Sequence, residues 1–178
     1  VPNANSEDRR DRLASVLKAA ASKRPDEFVE MLGVLDRPRD RFLDYALEQS
    51  VHATAASWFP ALQEGRLEFQ KPEHLAYALG TLGTEEAIRY ARAELDRANH
   101  TGAIRSNFVR IVSRSQDPAD WIYLVDNYSN DPSVLASLVE AVPPRRRAPV
   151  LGGEAVVSPL LESESELVRA QALRLVGA

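Results

Sequence analysis

The sequence predicts an all-α protein, in which antiparallel helix pairs stack into a right-handed α-α superhelix, or helical solenoid. The apolar pattern of the last helix recurs four times upstream. With Val168 as the reference, the equivalent residues are Val134, Ile104, His74 and Phe42, at spacings of 34, 30, 30 and 32 residues. These spacings are near the short end of those known for helical repeats. No stretch alternates polar and apolar residues for long enough to predict a strand.

The composition fits a helix-rich globular chain. Of the 178 residues, 44% are hydrophobic and 27% are charged, which is enough apolar surface for a core of ordinary size. The net charge of −4 gives no overall basic field for nucleic acid. The absence of cysteine excludes disulfides, thiolate metal sites, thiol nucleophiles and covalent haem attachment within this chain. No apolar run approaches the ~20 residues that span a membrane.

Residues 1–178 are interpreted as a single repeat domain. The chain begins at Val1 without Met, and its last helix has no polar capping helix after it. Solenoids normally shield their end faces with such helices. We therefore expect a fragment of a longer multidomain protein.

About eleven helices are expected, and two of them precede the regular repeats. Ser6 caps the first, and Pro25 lies in the first turn of the second. Residues expected to face the core are Leu13, Val16, Leu17 and Ala20 in the first helix, and Phe28, Val29, Leu32 and Leu35 in the second.

A two-helix unit then repeats, and we call its second helix the reference helix. Reference helices are predicted near 39–51, 73–82, 103–114, 132–142 and 165–177. Apolar residues at i, i+4, i+5 and about i+8 give each of them one buried stripe. The stripes are Phe42, Ala46 and Leu47; His74, Ala78, Leu79 and Leu82; Ile104, Phe108, Val109 and Val112; Val134, Leu138, Val139 and Val142; and Val168, Ala172, Leu173 and Val176.

The first helix of each unit carries an apolar pair and a further apolar residue three or four positions on. These sets are Trp58-Phe59 with Leu62, Ala87-Ile88 with Ala91, Trp121-Ile122 with Val125, and Val156-Val157 with Leu160 and Leu161. Their helical spacing favours a core position for both tryptophans over a role as stacking platforms.

Two connections interrupt the repeat. The first, 65–72, contains Leu67 and Phe69, which are expected to fold back over the core. The second, 143–153, is rich in proline and glycine, so it cannot be one continuous helix.

No residue pattern marks a catalytic or metal site. The only histidines are His52, His74 and His100, and none has a carboxylate at metal-binding spacing on its own helix face. The acidic residues are expected on helix faces in contact with water, and neither a nucleophile elbow nor a phosphate-binding glycine loop occurs.

The possible partner contacts are basic and aromatic. Arg105, Arg110 and Arg114, joined by Arg39 and Arg41, are expected to form a basic strip on the inner surface, where solenoids commonly bind partners. A second basic cluster, Arg145, Arg146 and Arg147, lies in the 143–153 connection and suits an anion or an acidic partner. Tyr45, Tyr77 and Tyr123 fall off the predicted stripes, and the first two are predicted as possible partner contacts.

The reference helix resembles the second helix of a HEAT repeat. Val168-Arg169, Ala172-Leu173 and Gly177 match the hydrophobic-Arg, small-apolar and terminal-Gly pattern, and Ile104-Arg105 repeats its start. Armadillo-like and other helical hairpin repeats carry similar patterns. The resemblance implies a HEAT-like domain over most of the chain.

A second resemblance covers about 40 residues from Phe42, with FLDYALEQS, WFPALQEGRLEF and then LAYAL. This stretch is similar to the helical-repeat segment of large haem-binding, membrane-bound-dehydrogenase-type bacterial proteins. Those proteins combine a propeller-like dehydrogenase domain, HEAT-like repeats and a c-type cytochrome domain with a CxxCH motif. The matching residues are Trp58, Pro60, Ala61, Leu62, Gly65, Leu67 and Phe69.

This chain lacks both the CxxCH motif and a propeller-like strand pattern. The resemblance therefore implies a connecting module that holds no cofactor, with haem c elsewhere in the parent chain. It also implies a periplasmic or other extracytoplasmic location, and it transfers no catalytic residue.

Three functional hypotheses follow from these observations. The leading one is a non-enzymatic scaffold for protein–protein or domain–domain interaction within a haem-binding redox protein. The first alternative is a nucleic-acid-binding repeat protein that uses the basic strip, which the net acidity disfavours. The second alternative is an enzyme with a site between repeats, which no residue pattern supports.

Overall fold

The computed structural model describes residues 3–97, 100, 102–128, 131–141, 158 and 160–177. Within these residues the chain forms α-helices and one 3₁₀ helix, with no strand. The elements are α1 (Arg9–Ser22), α2 (Pro25–Met31), the 3₁₀ helix (Leu32–Asp36), α3 (Arg41–Ala53), α4 (Ala55–Gln63), α5 (Pro72–Leu82), α6 (Glu85–Arg97), α7 (Gly102–Val112), α8 (Pro118–Tyr128), α9 (Pro132–Ala141) and α10 (Glu166–Gly177). The predicted all-α class is confirmed, and the helix packing is compatible with a helical solenoid.

The described residues thus contain ten α-helices, where about eleven are predicted. Helices α3, α5, α7, α9 and α10 lie within a few residues of the predicted reference helices. The helix predicted around Val156 and Val157 falls largely outside the described residues, although Ser158, Leu160 and Leu161 are helical. Val142, the 143–153 connection and the side chains of Leu138 and Val176 also lie outside the described part.

The chain divides into two compact units, Val1–Leu82 and Gly83–Ala178. In the first unit α1, α3 and α5 pack side by side, and α2 packs against α4. The starts of α1 and α3 lie together, because Arg9 Nη1 is 3.0 Å from Oδ2 of Asp40, the residue that caps α3. Alternate helices of this unit therefore share a row.

Three aromatic side chains pack together at the centre of the first unit. The Phe28 ring of α2 stacks on the Trp58 ring of α4, with centroids 4.7 Å apart. Phe69 meets both rings edge-on at 6.2 Å, and the Trp58 indole donates a hydrogen bond to the Val51 carbonyl at 3.1 Å. Leu67 is buried as well, so the prediction that this connection covers the core is confirmed.

A buried arginine fixes the start of α1. Asp8 caps the helix, and the fourth residue of the helix, Arg12, turns back past this cap. Arg12 Nη1 donates to the carbonyls of Ser6 and Glu7 at 2.7 and 3.0 Å. Its Nη2 donates to the carbonyl of Pro38 at 3.1 Å, which ties α1 to the segment before α3.

Helix α10, in the second unit, starts in the same way. Ser165 precedes the helix, and the fourth residue, Arg169, donates to the carbonyls of Ser163 and Glu164 at 2.6 and 3.0 Å. These two carbonyls hold the same positions relative to the helix start as those bound by Arg12. Arg105 is likewise the fourth residue of α7.

In the second unit α7 packs against α6, α8 and α9, and α9 packs against α10. Trp121 is buried, and its indole donates to the Ser115 carbonyl at 3.0 Å. The Ser115 hydroxyl donates to the buried carboxylate of Asp120 at 2.6 Å, and Arg92 forms an ion pair with the same carboxylate. This chain of contacts joins α6 to α8.

The predicted buried stripe is wrong by about one residue on several helices. The apolar pattern assigns five residues to the core that the structure exposes, namely Leu17, Phe42, Ile122, Leu161 and Leu173. In α3 the buried stripe is Leu43, Leu47 and Val51 instead. Successive residues on an α-helix lie about 100° apart, so a helix that buries Leu43 must turn Phe42 outward.

Replacing Trp58 or Trp121 by alanine is expected to lower the free energy of unfolding by about 3–5 kcal/mol, because each ring is fully buried. Urea titration followed by circular dichroism measures the loss. Tyr45→Ala is the matched control, since its largely exposed ring contributes less than about 0.5 kcal/mol. Wild-type unfolding curves from both tryptophan variants would contradict the assignment.

Candidate interaction surface

Three large apolar side chains stand exposed on the row formed by α1 and α3. The exposed fractions are 57% for Leu17, 64% for Phe42 and 65% for Tyr45. Phe42 and Tyr45 are three residues apart in α3, so they lie on the same side of that helix. The opposite side of α3 is buried in the core. The orientation of the helix is therefore fixed, and so is the position of the two aromatic side chains on its surface.

A groove of about 370 Å³ runs beside Phe42, between α1 and α3. We call it the α1–α3 groove, and its lining residues are Arg9, Arg10, Leu13, Asp40, Phe42 and Leu43. Leu13 lies one helical turn before Leu17 on the same face of α1. The floor of the groove is apolar, and its rim is charged.

Arginines dominate this rim. Arg9 pairs with Asp40, Arg10 is exposed, and the Arg41 guanidinium lies 4.7 Å from the centroid of the Phe42 ring. The amides of Leu43 and Phe42 donate to Asp40 and hold its carboxyl pKa below the ordinary value, so Asp40 stays ionised at neutral pH. The groove is thus lined by two arginines and one carboxylate, and a third arginine lies beside it.

Tyr77 lies on α5, the next helix of the row, and is half-buried. Burial raises the pKa of its phenol above the ordinary value, and the nearby charges of Asp44 and Glu48 act in the same direction. These two acids flank Tyr45 along α3. The structure therefore places Tyr45 and Tyr77, both predicted as partner contacts, on neighbouring helices.

The three arginines of the predicted basic strip that follow residue 100 differ in how far they are exposed. Arg110 is exposed in the last turn of α7 and Arg114 is exposed in the turn that follows the helix, whereas Arg105 is half-buried. The Arg105 guanidinium lies 5.9 Å from the Tyr128 ring, and its Nε is buried with no hydrogen-bond partner in the described part of the chain. Arg145, Arg146 and Arg147 lie outside the described residues. Whether any of these arginines contacts a partner stays a prediction.

A polar cavity of about 600 Å³ lies elsewhere in the first unit. It contains Asp36, whose carboxylate accepts a hydrogen bond from Lys71 Nζ at 2.7 Å and pairs with His74 Nε2 at 3.0 Å. The hydrogen bond from Lys71, followed by that from His74, lowers the pKa of the Asp36 carboxyl. Other polar side chains of the lining are Asn3, Asn5, Ser15, Glu30 and Gln70.

The remaining histidines lie apart from this cavity. His52 is exposed, and His100 stacks on Phe108 at 5.0 Å in the second unit. Over the residues that the structure describes, no group of three His, Cys, Asp or Glu side chains is arranged to hold a metal ion.

The sequence pattern predicts Tyr45 and Tyr77 as possible partner contacts, which stays a prediction, and it gives no sign of the groove beside Phe42. Phe42 is part of an apolar pattern that also fits a core residue, and Arg9 and Arg10 precede the recognised repeats. The Asp36–His74 pair joins residues 38 positions apart, and no local signal connects them.

None of the described helices is both long and apolar enough to cross a membrane. Comparison of the chain with protein families, curated proteins and solved structures finds no match.

The Asp36→Asn variant is expected to be less stable than the wild type by about 1 kcal/mol or less at pH 7, because the Asp36 side chain is 34% exposed and the pair is partly screened. The folded pKa of Asp36 lies below its ordinary value of 3.8. The stabilisation is therefore present above about pH 4 and is lost as the pH falls through the folded pKa.

Urea titrations of both proteins at pH 7 and pH 3 measure this difference. The exposed Glu68 supplies the control variant Glu68→Gln, which should show no comparable change between the two pH values. A wild-type advantage that grows on acidification would contradict the role given to Asp36.

Proposed function

We propose that this chain is a non-enzymatic helical-repeat scaffold that binds other proteins or neighbouring domains, and that the α1–α3 groove with Tyr45 is its contact surface. The observation that carries the proposal is the exposure of Phe42 and Tyr45 on a helix whose other side is buried. Contiguous exposed apolar surface commonly marks an interaction site. Aromatic residues and arginine are also the types enriched in interfaces.

The repeat architecture is supported by a recurring contact at helix starts, in which the fourth residue, an arginine, donates hydrogen bonds to backbone carbonyls before the helix. Arg12 and Arg169 bind equivalent backbone carbonyls, although they lie in different units of the chain. Arg105 shares their position in its helix. Recurrence of one cap geometry is expected where helices are copies of one repeat. It supports a repeat that also includes α1, which the sequence pattern placed before the regular units. The right-handed, HEAT-like form of the proposed superhelix rests on the sequence resemblance.

The charge of the groove defines the chemistry of its partner. Arg9, Arg10 and Asp40 line the apolar floor, and Arg41 lies beside the Phe42 ring. Of the two acids that flank Tyr45, Asp44 is paired with Arg39 at 2.6 Å. The groove is thus locally basic, although the whole chain carries a net charge of −4. Complementary charge steers association and selects among partners. The groove therefore suits a segment that combines carboxylates with an exposed leucine or aromatic side chain.

The resemblance to haem-binding dehydrogenase-type proteins supports placing this scaffold in a redox protein outside the cytoplasm. The scaffold would then connect domains, with haem c bound by a separate cytochrome domain. Reading the gene on both sides of the sequence tests this context. A downstream CxxCH motif and an upstream propeller are expected, and the absence of both would remove the redox assignment while leaving the groove.

Binding to defined peptides tests the groove. A fluorescent helical peptide of about four turns, with leucines on one face and glutamates on the other, should bind the chain. The same peptide with lysines in place of the glutamates should bind at least about tenfold more weakly, since its charge opposes the groove. Fluorescence anisotropy measures both affinities.

The Phe42→Ser/Tyr45→Ser double variant should lose at least about tenfold in affinity for the leucine–glutamate peptide. Ile122→Ser is the matched control, because Ile122 is an exposed apolar residue of the other unit. Equal binding of the two peptides would contradict the groove. Retention of the chain on DNA, weakening steeply with salt, would favour the nucleic-acid alternative.

A further inference from the structure

We infer that the partner of the α1–α3 groove is a second copy of this chain, which presents the acidic start of α10. This inference rests on the proposed function, because it names the occupant of the same groove. The observation behind it is a second exposed surface that has the charge and the side chains the groove requires.

The second surface lies just before and within the first turn of α10. Leu161 and Leu167 are 36% and 65% exposed, and three glutamates around them are exposed as well. We call this surface the acidic edge, and its residues are Leu161, Glu162, Glu164, Glu166 and Leu167.

The backbone of the acidic edge is held in place by its own helix. Arg169 Nη1 donates to the carbonyls of Ser163 and Glu164 at 2.6 and 3.0 Å, and the Ser165 hydroxyl accepts from the amide of Val168 at 3.4 Å. The segment therefore needs little further ordering on binding, which lowers the entropic cost of association. Arg169 keeps its positive charge but turns it toward backbone carbonyls, so the three glutamates leave the edge with a net negative charge.

The two surfaces are complementary in charge and in their exposed apolar side chains. The groove offers an apolar floor lined by two arginines and one carboxylate, with Arg41 beside it, and the edge offers two exposed leucines among three glutamates. Exposed charges of opposite sign attract over roughly a Debye length, about 8–10 Å near physiological salt. Association should therefore weaken as salt is added.

The groove and the edge are different patches, so each copy uses a different surface from the one its neighbour uses. Such a contact is heterologous, and it builds an open chain of copies or a closed ring. The groove is lined by six residues and the edge comprises five, whereas a typical stable interface has about 20–30 residues on each side. We therefore expect weak association, with a Kd on the order of 10–500 µM.

Sedimentation velocity of the full chain tests the inference. The weight-average sedimentation coefficient should rise with protein concentration in about 20 mM salt, and the rise should be largely lost in about 0.5 M salt. A coefficient that stays at the monomer value up to about 1 mM in low salt would overturn the inference.

Two variants separate this contact from non-specific aggregation. The groove variant is Phe42→Ser/Tyr45→Ser, and the edge variant is Glu164→Ala/Leu167→Ala. All four side chains are exposed, so both variants are expected to fold, and circular dichroism melting checks this. Each variant alone should associate at least about tenfold more weakly than the wild type, because one of its two surfaces is missing.

An equimolar mixture of the two variants should form a species of two chains and nothing larger. The intact edge of one variant fits the intact groove of the other, and no further surface pair remains. Wild-type association of either variant alone, or no heterodimer in the mixture, would overturn the inference. If the leucine–glutamate peptide still binds the groove while the chain stays monomeric, the partner is another protein and only this inference falls.

Discussion

The stacking of Phe28 on Trp58 is the contact on which the first unit depends. It joins α2 to α4, the two helices that lie between the members of the α1–α3–α5 row in the chain. The indole hydrogen bond to Val51 then links this pair to the end of α3. With α3 held from this side, its rotation is fixed, and Phe42 and Tyr45 are left facing outward. The candidate interaction surface is thus a consequence of how the core is filled.

In the second unit, the helices around the buried tryptophan are joined by polar contacts. Trp121 is anchored through the Ser115 carbonyl, and Ser115 in turn meets a buried carboxylate that Arg92 neutralises. The charge of Asp120 is therefore paired within the fold, as burial of a charge requires. Acidic residues at the start of α10 have no such pairing within the described contacts, and they define the outward charge of that surface.

The helices and the large core residues could be predicted from the sequence, because apolar spacing and proline or acid caps are local signals. The rotation of each helix could not be predicted as well. In α3, Phe42 and Leu43 are adjacent apolar residues, and spacing alone fits either of them to the core. Contacts with α1 and α4 decide between them. Tyr45 could be predicted as exposed because it lies off the apolar stripe. Arg9 and Arg10 line the groove only because the start of α1 lies beside α3, and no local pattern predicts that contact.

The hydrogen bonds of Arg12 limit how far the chain can be shortened at its N-terminal side. Its guanidinium is buried, and its bonds to Ser6, Glu7 and Pro38 are all to backbone carbonyls. A protease cut or a deletion that removes residues 6 and 7 would leave a permanent positive charge with most of its acceptors gone. The short stretch before α1 is therefore an integral part of the first unit, and the smallest piece of this unit that can fold must begin no later than Ser6.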